Sequence, residues 1–180
     1  MKKFKIELNL QKLVYLAMLI ALGIVLSLYT IGTNIWQINF TFIVNTLLGI
    51  IAGPFLSGIS LAVQDIIYSF LFSAYGYNWQ FTFSAVIVGF VYGLLFYKKR
   101  LDISRKNDWI YTLFAVTFIM LLDSLFFNSL WVSITYKMPF EFILKSRLPL
   151  LIQIVPRTVI TMLIFSSLDR IPIIKKALHL

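Results

Sequence analysis

Residues 109–132 read WIYTLFAVTFIMLLDSLFFNSLWV, a run in which Asp123 is the only charged side chain. As an α-helix this run would be about 36 Å long, at a rise of 1.5 Å per residue. The hydrocarbon core of a bilayer is only about 30 Å thick, so the run predicts a transmembrane helix. Because charge is costly at membrane depth, we expect Asp123 to face the interior of a helical bundle.

The composition of the whole chain agrees with this stretch. Of its 180 residues, 60% are hydrophobic and 13% are charged, and the mean hydropathy is +0.90. Soluble domains carry roughly 25% charged residues. We therefore predict an all-α membrane protein of six transmembrane helices, with residues 1–180 forming one transmembrane domain. The six apolar segments are residues 13–29, 40–52, 55–74, 81–97, 109–132 and 148–168.

The second of these segments is short for a membrane span. It ends at Gly53 and Pro54, which punctuate the chain because proline cannot continue a helix but is suited to begin one. Three explanations remain open: the segment is tilted, it starts earlier near Ile35, or it is sheltered inside the bundle.

The distribution of positive charge predicts the topology. The formal charge is +9, but the cations lie between apolar segments rather than on one face of a soluble fold, so we expect no nucleic-acid partner. With six spans, the positive-inside rule places both termini in the cytoplasm, in a multi-pass protein of the cell membrane whose first span is a retained helix. Twelve of the 16 cations lie on that side: Lys2, Lys3, Lys5, Lys12, Lys98, Lys99, Arg100, Arg105, Lys106, Arg170, Lys175 and Lys176.

Positive charge also occurs in the fifth connection, which we place at about residues 135–147 on the outer side. Lys137, Lys145 and Arg147 lie there, against the topology rule. They would either attract an anionic solute or anchor the chain to lipid phosphates.

Catalytic chemistry has little support in this sequence. There is no cysteine, and the single histidine, His179, is the penultimate residue. Neither a nucleophile–histidine pair nor a histidine or thiolate metal site can therefore be built inside the bundle. The chain also has no glycine-lysine phosphate loop. We expect no enzyme activity, no cofactor and no metal, and any ATP-driven transport would need another subunit.

Polar groups at membrane depth mark candidate sites, since they usually face the bundle interior. Asp123 and Arg157 lie near the middles of adjacent antiparallel segments, so an internal ion pair is plausible. Asp65 has no cation near it in sequence, and its carboxylate would either accept two N–H donors from a ligand or serve helix packing. The full set is Asn45, Gln64, Asp65, Asp123, Asn128, Gln153 and Arg157.

Several motifs occur in a recognisable order. Ala17 and Ala21 share one face of the first span, where small side chains allow another helix to approach, either within the bundle or from a partner. Gly53, Pro54, Gly58 and Asp65 form a Gly-Pro-x-x-x-Gly segment leading to an aspartate. Residues 77–93 read YNWQFTFSAVIVGFVYG, residues 128–131 read NSLW, and Arg147 precedes the sixth apolar segment.

In these motifs the chain resembles the substrate-binding S components of energy-coupling factor importers, particularly the folate group, over nearly its whole length. The resemblance implies a subunit that binds its vitamin from outside and associates with a transmembrane coupling subunit and two ATPases. Folate is the vitamin implied, and Ala17 and Ala21 would dock on the coupling subunit. The alternative is an S component for another small nutrient, such as a different vitamin or a purine- or pyrimidine-like compound.

On this resemblance, a 2-amino-4-oxo pterin would present its N–H groups to Asp65 and Asn128, with aromatic rings flanking it and cations meeting its carboxylate tail. The folate group often has arginine before Ile-Ser-Phe in the first outer connection, whereas residues 36–40 here read WQINF. The expected substrate-binding residues are Gln37, Phe40, Gln64, Asp65, Tyr68, Trp79, Phe83, Asn128, Trp131, Lys145 and Arg147.

Overall fold

The computed structural model describes residues 10–32, 37–73 and 76–169, which form six helical segments. The first connection contains a short antiparallel strand pair, and the fifth and sixth segments are each continuous helices that change their helical type. The elements are α1 (Leu10–Leu28), β1 (Ile31–Gly32), β2 (Gln37–Ile38), α2 (Thr41–Ala52), α3 (Pro54–Phe72), α4 (Trp79–Phe96), α5 (Lys106–Met120), a π-helix (Leu121–Phe127), α6 (Asn128–Tyr136), α7 (Phe140–Arg147), a 3-10 helix (Leu148–Gln153) and α8 (Ile154–Asp169).

The predicted all-α membrane fold with six helices is confirmed. Five of the six segments are long and apolar enough to cross a bilayer, and many of their large apolar side chains point outward. Ile152, Leu10 and Phe70 are 81%, 75% and 69% exposed. A water-soluble monomer rarely shows so much apolar surface, whereas lipid tails solvate it.

The remaining segment, the second along the chain, is α2, whose 12 residues extend only about 18 Å at 1.5 Å per residue. It is sheltered inside the bundle, as one of the three explanations for its length holds, and it begins at Thr41 rather than near Ile35. Val44 and Leu48 are fully buried, and α2 packs against α1, α3, α4 and α8. The surrounding helices, rather than lipid, cover most of its surface.

Glycines bring α3 and α4 into backbone contact, and this pair is the most extensively packed in the bundle. A Cβ atom on Gly58 would lie 2.9 Å from the carbonyl oxygen of Val86, and one on Gly89 would lie 2.7 Å from that of Ser57. Gly93 lies against Gly53 and Pro54, where α3 begins. Close approach of this kind stabilises helix pairs in membranes, where apolar burial alone gives no advantage.

The fifth connection is shorter than predicted, and its placement at residues 135–147 is wrong. Helix α6 continues to Tyr136 and α7 already begins at Phe140. Arg147 therefore lies at the end of a helix, buried, rather than in a loop. The reason is that Glu141, Lys145 and Arg147 lower the hydropathy of α7 without preventing it from being helical.

Candidate functional site

A cavity of about 230 Å³ lies among the first four helices and the fifth segment. Each element contributes one or a few side chains, so the cavity depends on the packing of the bundle as a whole. Its walls combine two carboxylates, side-chain amides and hydroxyls, and several aromatic rings. The lining residues are Ser27, Thr30, Asn39, Thr41, Asn45, Leu61, Gln64, Asp65, Tyr68, Phe81, Ser84, Ala85, Val88, Asp123, Asn128 and Trp131.

Helix α3 provides one wall through a single face. Leu61, Gln64, Asp65 and Tyr68 all line the cavity, and their spacing of three, four and seven residues is that of one helical stripe. The hydroxyl of Thr82 donates a hydrogen bond to Oδ2 of Asp65 at 2.6 Å. This bond fixes one carboxylate oxygen of Asp65 and leaves the other for a further donor.

Helix α4 turns a different face to the cavity from the one expected. Trp79 and Phe83 share a face of α4 that does not line the cavity. Their side chains are 63% and 51% exposed. The residues that do line it lie on another stripe of the helix. These are Phe81, Ser84, Ala85 and Val88.

The fifth segment contributes Asp123, Asn128 and Trp131. Asp123 lies in the π-helix, and Nδ2 of Asn128 donates to both its main-chain oxygen and its Oδ1 at 3.2 Å. The indole N–H of Trp131 donates to the hydroxyl of Ser84 on α4. These bonds orient an aspartate, an amide and an aromatic ring toward the same space.

Two amide oxygens of the lining residues have no hydrogen-bond partner within the described part of the chain. They are Oδ1 of Asn45 and Oε1 of Gln64, and both atoms are buried. Buried polar atoms in native proteins are usually satisfied by protein, water or ligand. Water or a ligand in the cavity would satisfy these two acceptors.

Arg147 and Arg157 do not line the cavity. Arg147 is 6% exposed, and its Nη1 donates to the carbonyl oxygen of Ser124 at 3.3 Å. Arg157 donates to Oε1 of Gln153 at 3.0 Å and lies over the ring of Phe42. Asp123 instead accepts its side-chain hydrogen bond from Asn128, so the suggested ion pair is not a direct hydrogen-bonded one, although the charges of both arginines act on this aspartate.

The structure thus brings together five of the expected substrate-binding residues: Gln64, Asp65, Tyr68, Asn128 and Trp131. Phe40, Trp79, Phe83, Lys145 and Arg147 do not line the cavity. The side chain of Gln37 lies outside the described residues. A role in binding stays a prediction for all eleven.

Sequence reasoning missed several lining residues. Ser27 and Thr41 lie at the ends of apolar helices and Thr30 lies two residues beyond α1, and hydroxyl residues are common at such places for capping and interfacial reasons. Ser84 and Ala85 were missed for another reason: small residues in an apolar helix usually indicate helix packing rather than a binding site. The signal available in the sequence was spacing. Ser84 and Ala85 follow Phe81 by three and four residues, which places all three on one face of a helix.

Ala17 and Ala21 lie on α1, away from the cavity. Both are exposed, and neither lines it. The opposite side of α1 packs against α2 and α3. The alanine pair is therefore open to another helix.

Comparison with known proteins identifies the architecture. Residues 11–174 match the family model for the ECF transporter substrate-specific component. The folate transporter FolT of Streptococcus mutans is 38% identical over 174 residues, covering 94% of this chain and 93% of that protein. The Clostridium novyi FolT is 34% identical over 123 residues, covering 68% of each chain.

A solved structure has the same fold over almost the entire chain. It is a crystal structure of FolT bound with folic acid, with a TM-score of 0.74 and 28% sequence identity over 92% of this chain and 96% of that one. The six-helix arrangement and the matched length agree with the family assignment. This multi-pass membrane chain belongs to the substrate-specific components of energy-coupling factor transporters.

Proposed function

We propose that this chain is the folate-binding subunit of an energy-coupling factor importer of the cell membrane, with residues 1–180 acting as one substrate-binding domain. Its similarity to the FolT proteins and to the folic acid-bound FolT structure supports this choice. The observation that carries the proposal is the pairing of Asp65 and Asp123 with aromatic rings around one cavity.

The chemistry of the cavity suits a pterin. Its 2-amino and ring N–H groups are donors, and a carboxylate is the strongest acceptor that a protein can offer them. Asp65 keeps one oxygen for such donors, and Asn128 can pair with a mixed donor and acceptor edge. Trp131 and Tyr68 supply ring faces, and each aromatic contact contributes about 0.5 to 1.5 kcal/mol beyond burial.

The size of the cavity limits how much of folate it encloses. Its volume of about 230 Å³ falls below the roughly 300 to 1,000 Å³ of pockets that enclose drug-sized ligands. It suits the bicyclic head better than the whole vitamin. We therefore place the pterin in the cavity and the aminobenzoyl-glutamate tail outside it. The proposed contacts of the tail are Gln37 and Phe40 before α2, and Trp79 and Phe83 in the first turns of α4.

We predict that the detergent-purified chain alone binds folic acid with a dissociation constant below 1 μM, equivalent to about −8.2 kcal/mol or better. Isothermal titration calorimetry against a panel of vitamins and nucleobases measures this directly. Clear binding of another member of the panel, with none of folic acid, would establish the alternative that this S component takes a different nutrient.

The tail of folate is an anion, and we propose that Arg147, helped by Lys145, stabilises it. Arg147 is buried and its Nε has no partner within the described residues, so its guanidinium retains a free donor. Lys145 is exposed two residues earlier on α7. Arg147→Ala is expected to weaken folic acid binding at least tenfold, since losing one partner of a buried charged hydrogen bond typically costs about 2 to 5 kcal/mol.

A pterin without the tail separates this role from a structural one. Its affinity should be unchanged in Arg147→Ala, because the cavity residues are intact. Arg105→Ala, which removes an exposed arginine from the fourth connection, is the matched control and should bind both ligands normally. An equal loss for both ligands, or folic acid binding within threefold of wild type, would exclude Arg147 from the tail site.

The proposed partners are a transmembrane coupling subunit and two ATPase subunits, which would supply the energy for import. The exposed alanine pair of α1 supports this proposal, because small side chains let a second helix approach closely. Ala17 and Ala21 would form the docking surface. The chain itself would hold the vitamin and carry out no chemical step.

A further inference from the structure

Gly23 and Gln64 make a contact that is possible only because α1 has no side chain at this position. A Cβ atom on Gly23 would lie 2.5 Å from Cδ and 2.9 Å from Nε2 of Gln64, and closer still to Oε1. All three are atoms of the terminal amide group. The amide of Gln64 therefore occupies the space that any other residue at position 23 would fill.

The backbone around Gly23 is held in place as well. The hydroxyl of Ser27 donates a hydrogen bond to the carbonyl oxygen of Gly23 at 2.8 Å. Ser27 and Gln64 both line the cavity. This turn of α1 is therefore a direct support for two side chains of the binding site.

Gln64 itself is 7% exposed, and its Oε1 is buried without a partner among the described residues. No hydrogen bond within that set fixes this oxygen, and the contact with Gly23 limits where the amide can lie. From this position Gln64 lines the cavity.

We propose that Gly23 is a positioning residue of the ligand site, which fixes the amide of Gln64 so that it meets the polar edge of the bound head group. The proposal rests on the proposed function, because the ligand edge is that of a pterin. The three atoms nearest to an added methyl group at position 23 all belong to the far end of a flexible side chain. The effect of the methyl group should therefore fall on binding rather than on folding.

Calorimetry with folic acid on a double-mutant cycle tests the proposal. Gly23→Ala should lower the affinity at least tenfold while the thermal unfolding midpoint stays near that of wild type. Gln64→Ala should also lower it. The combined variant should bind no more weakly than Gln64→Ala alone, because the methyl group then has no amide to displace.

Leu22→Ala is the matched control, since Leu22 is adjacent on α1 and 45% exposed. It should bind folic acid normally. Gly23→Ala with affinity within twofold of wild type would overturn the proposal. So would losses that multiply in the combined variant, because independent effects would mean that Gly23 does not act through Gln64.

A second measurement needs no ligand. In protein labelled with ¹⁵N-glutamine, the side-chain amide signal missing from Gln64→Ala belongs to Gln64. Gly23→Ala should move that signal, and Leu22→Ala should leave it in place. If wild type binds no folic acid, the proposed function fails, but this signal still decides whether Gly23 positions the amide of Gln64. A signal that does not move in Gly23→Ala overturns the inference.

Discussion

The pair of substitutions Ala17→Trp and Ala21→Trp is expected to abolish ATP-dependent folate uptake while leaving folate affinity near wild type. Both alanines are exposed on α1. Two indole rings on that face would hold an approaching helix beyond close van der Waals contact. The nearest cavity residue of α1, Ser27, lies six residues beyond Ala21, or about 9 Å along the helix. Binding and transport should therefore separate.

Two measurements check this expectation: co-purification with the coupling subunit and ATPases, and uptake of labelled folate into vesicles. Ile110→Trp with Phe114→Trp is the matched control, because these residues are also four apart and are 66% and 64% exposed on the fifth segment. That variant should assemble and transport. If the alanine variant folds and co-purifies but loses folate binding, the alanines belong to the site and the docking assignment must be withdrawn.

The substitution Gly93→Val is expected to prevent stable folding. A Cβ atom on Gly93 would lie 2.6 Å from the carbonyl carbon of Gly53 and closer still to the nitrogen and Cα of Pro54. These are backbone atoms at the start of α3, so no side-chain rotation can relieve the overlap. Overpacking typically costs about 1 to 3 kcal/mol, and we expect at least the upper end of that range because α3 and α4 must separate.

Size-exclusion chromatography in detergent and thermal unfolding measure the effect. Leu94→Val is the control, since Leu94 is the next residue on α4 and is 50% exposed; its yield and unfolding midpoint should match wild type. A Gly93→Val protein that elutes as a single peak and unfolds near the wild-type midpoint would show that the contact with Pro54 relaxes easily.

The membrane fold could be predicted because the length of an apolar run is set by the thickness of the bilayer. The same criterion fails where a helix carries charged side chains. Helix α7 carries Glu141, Lys145 and Arg147, so hydropathy indicated a loop there although the helix continues. The short α2 was marked correctly, but its surroundings depend on long-range packing that composition does not report.

The binding site was predicted only in part, and helix faces explain why. On α3, Gln64 and Asp65 are polar residues in an apolar helix, so their direction could be inferred. On α4, one side meets protein and another meets the exterior, and both sides are apolar. The periodicity of apolar residues then does not show which side faces the bundle. The prediction therefore named Trp79 and Phe83, whereas Phe81 and Ser84 line the cavity.

The π-helix at Leu121–Phe127 makes the site sensitive to chain length. Hydrogen bonds from residue i to i+5 accommodate one residue more than the α-helical pattern does. Asp123 and Asn128, five residues apart, therefore lie one turn apart and both line the cavity, whereas five residues of a regular α-helix turn through about 500° and would put the two side chains on different faces. Removing Leu121 or Leu122 would allow regular winding and turn Asp123 away from Asn128, while the residues beyond the π-helix kept their direction and the composition of the span stayed almost unchanged. Ligand choice in this protein is therefore open to change through a single-codon insertion or deletion, a route that comparison of aligned side chains alone would overlook.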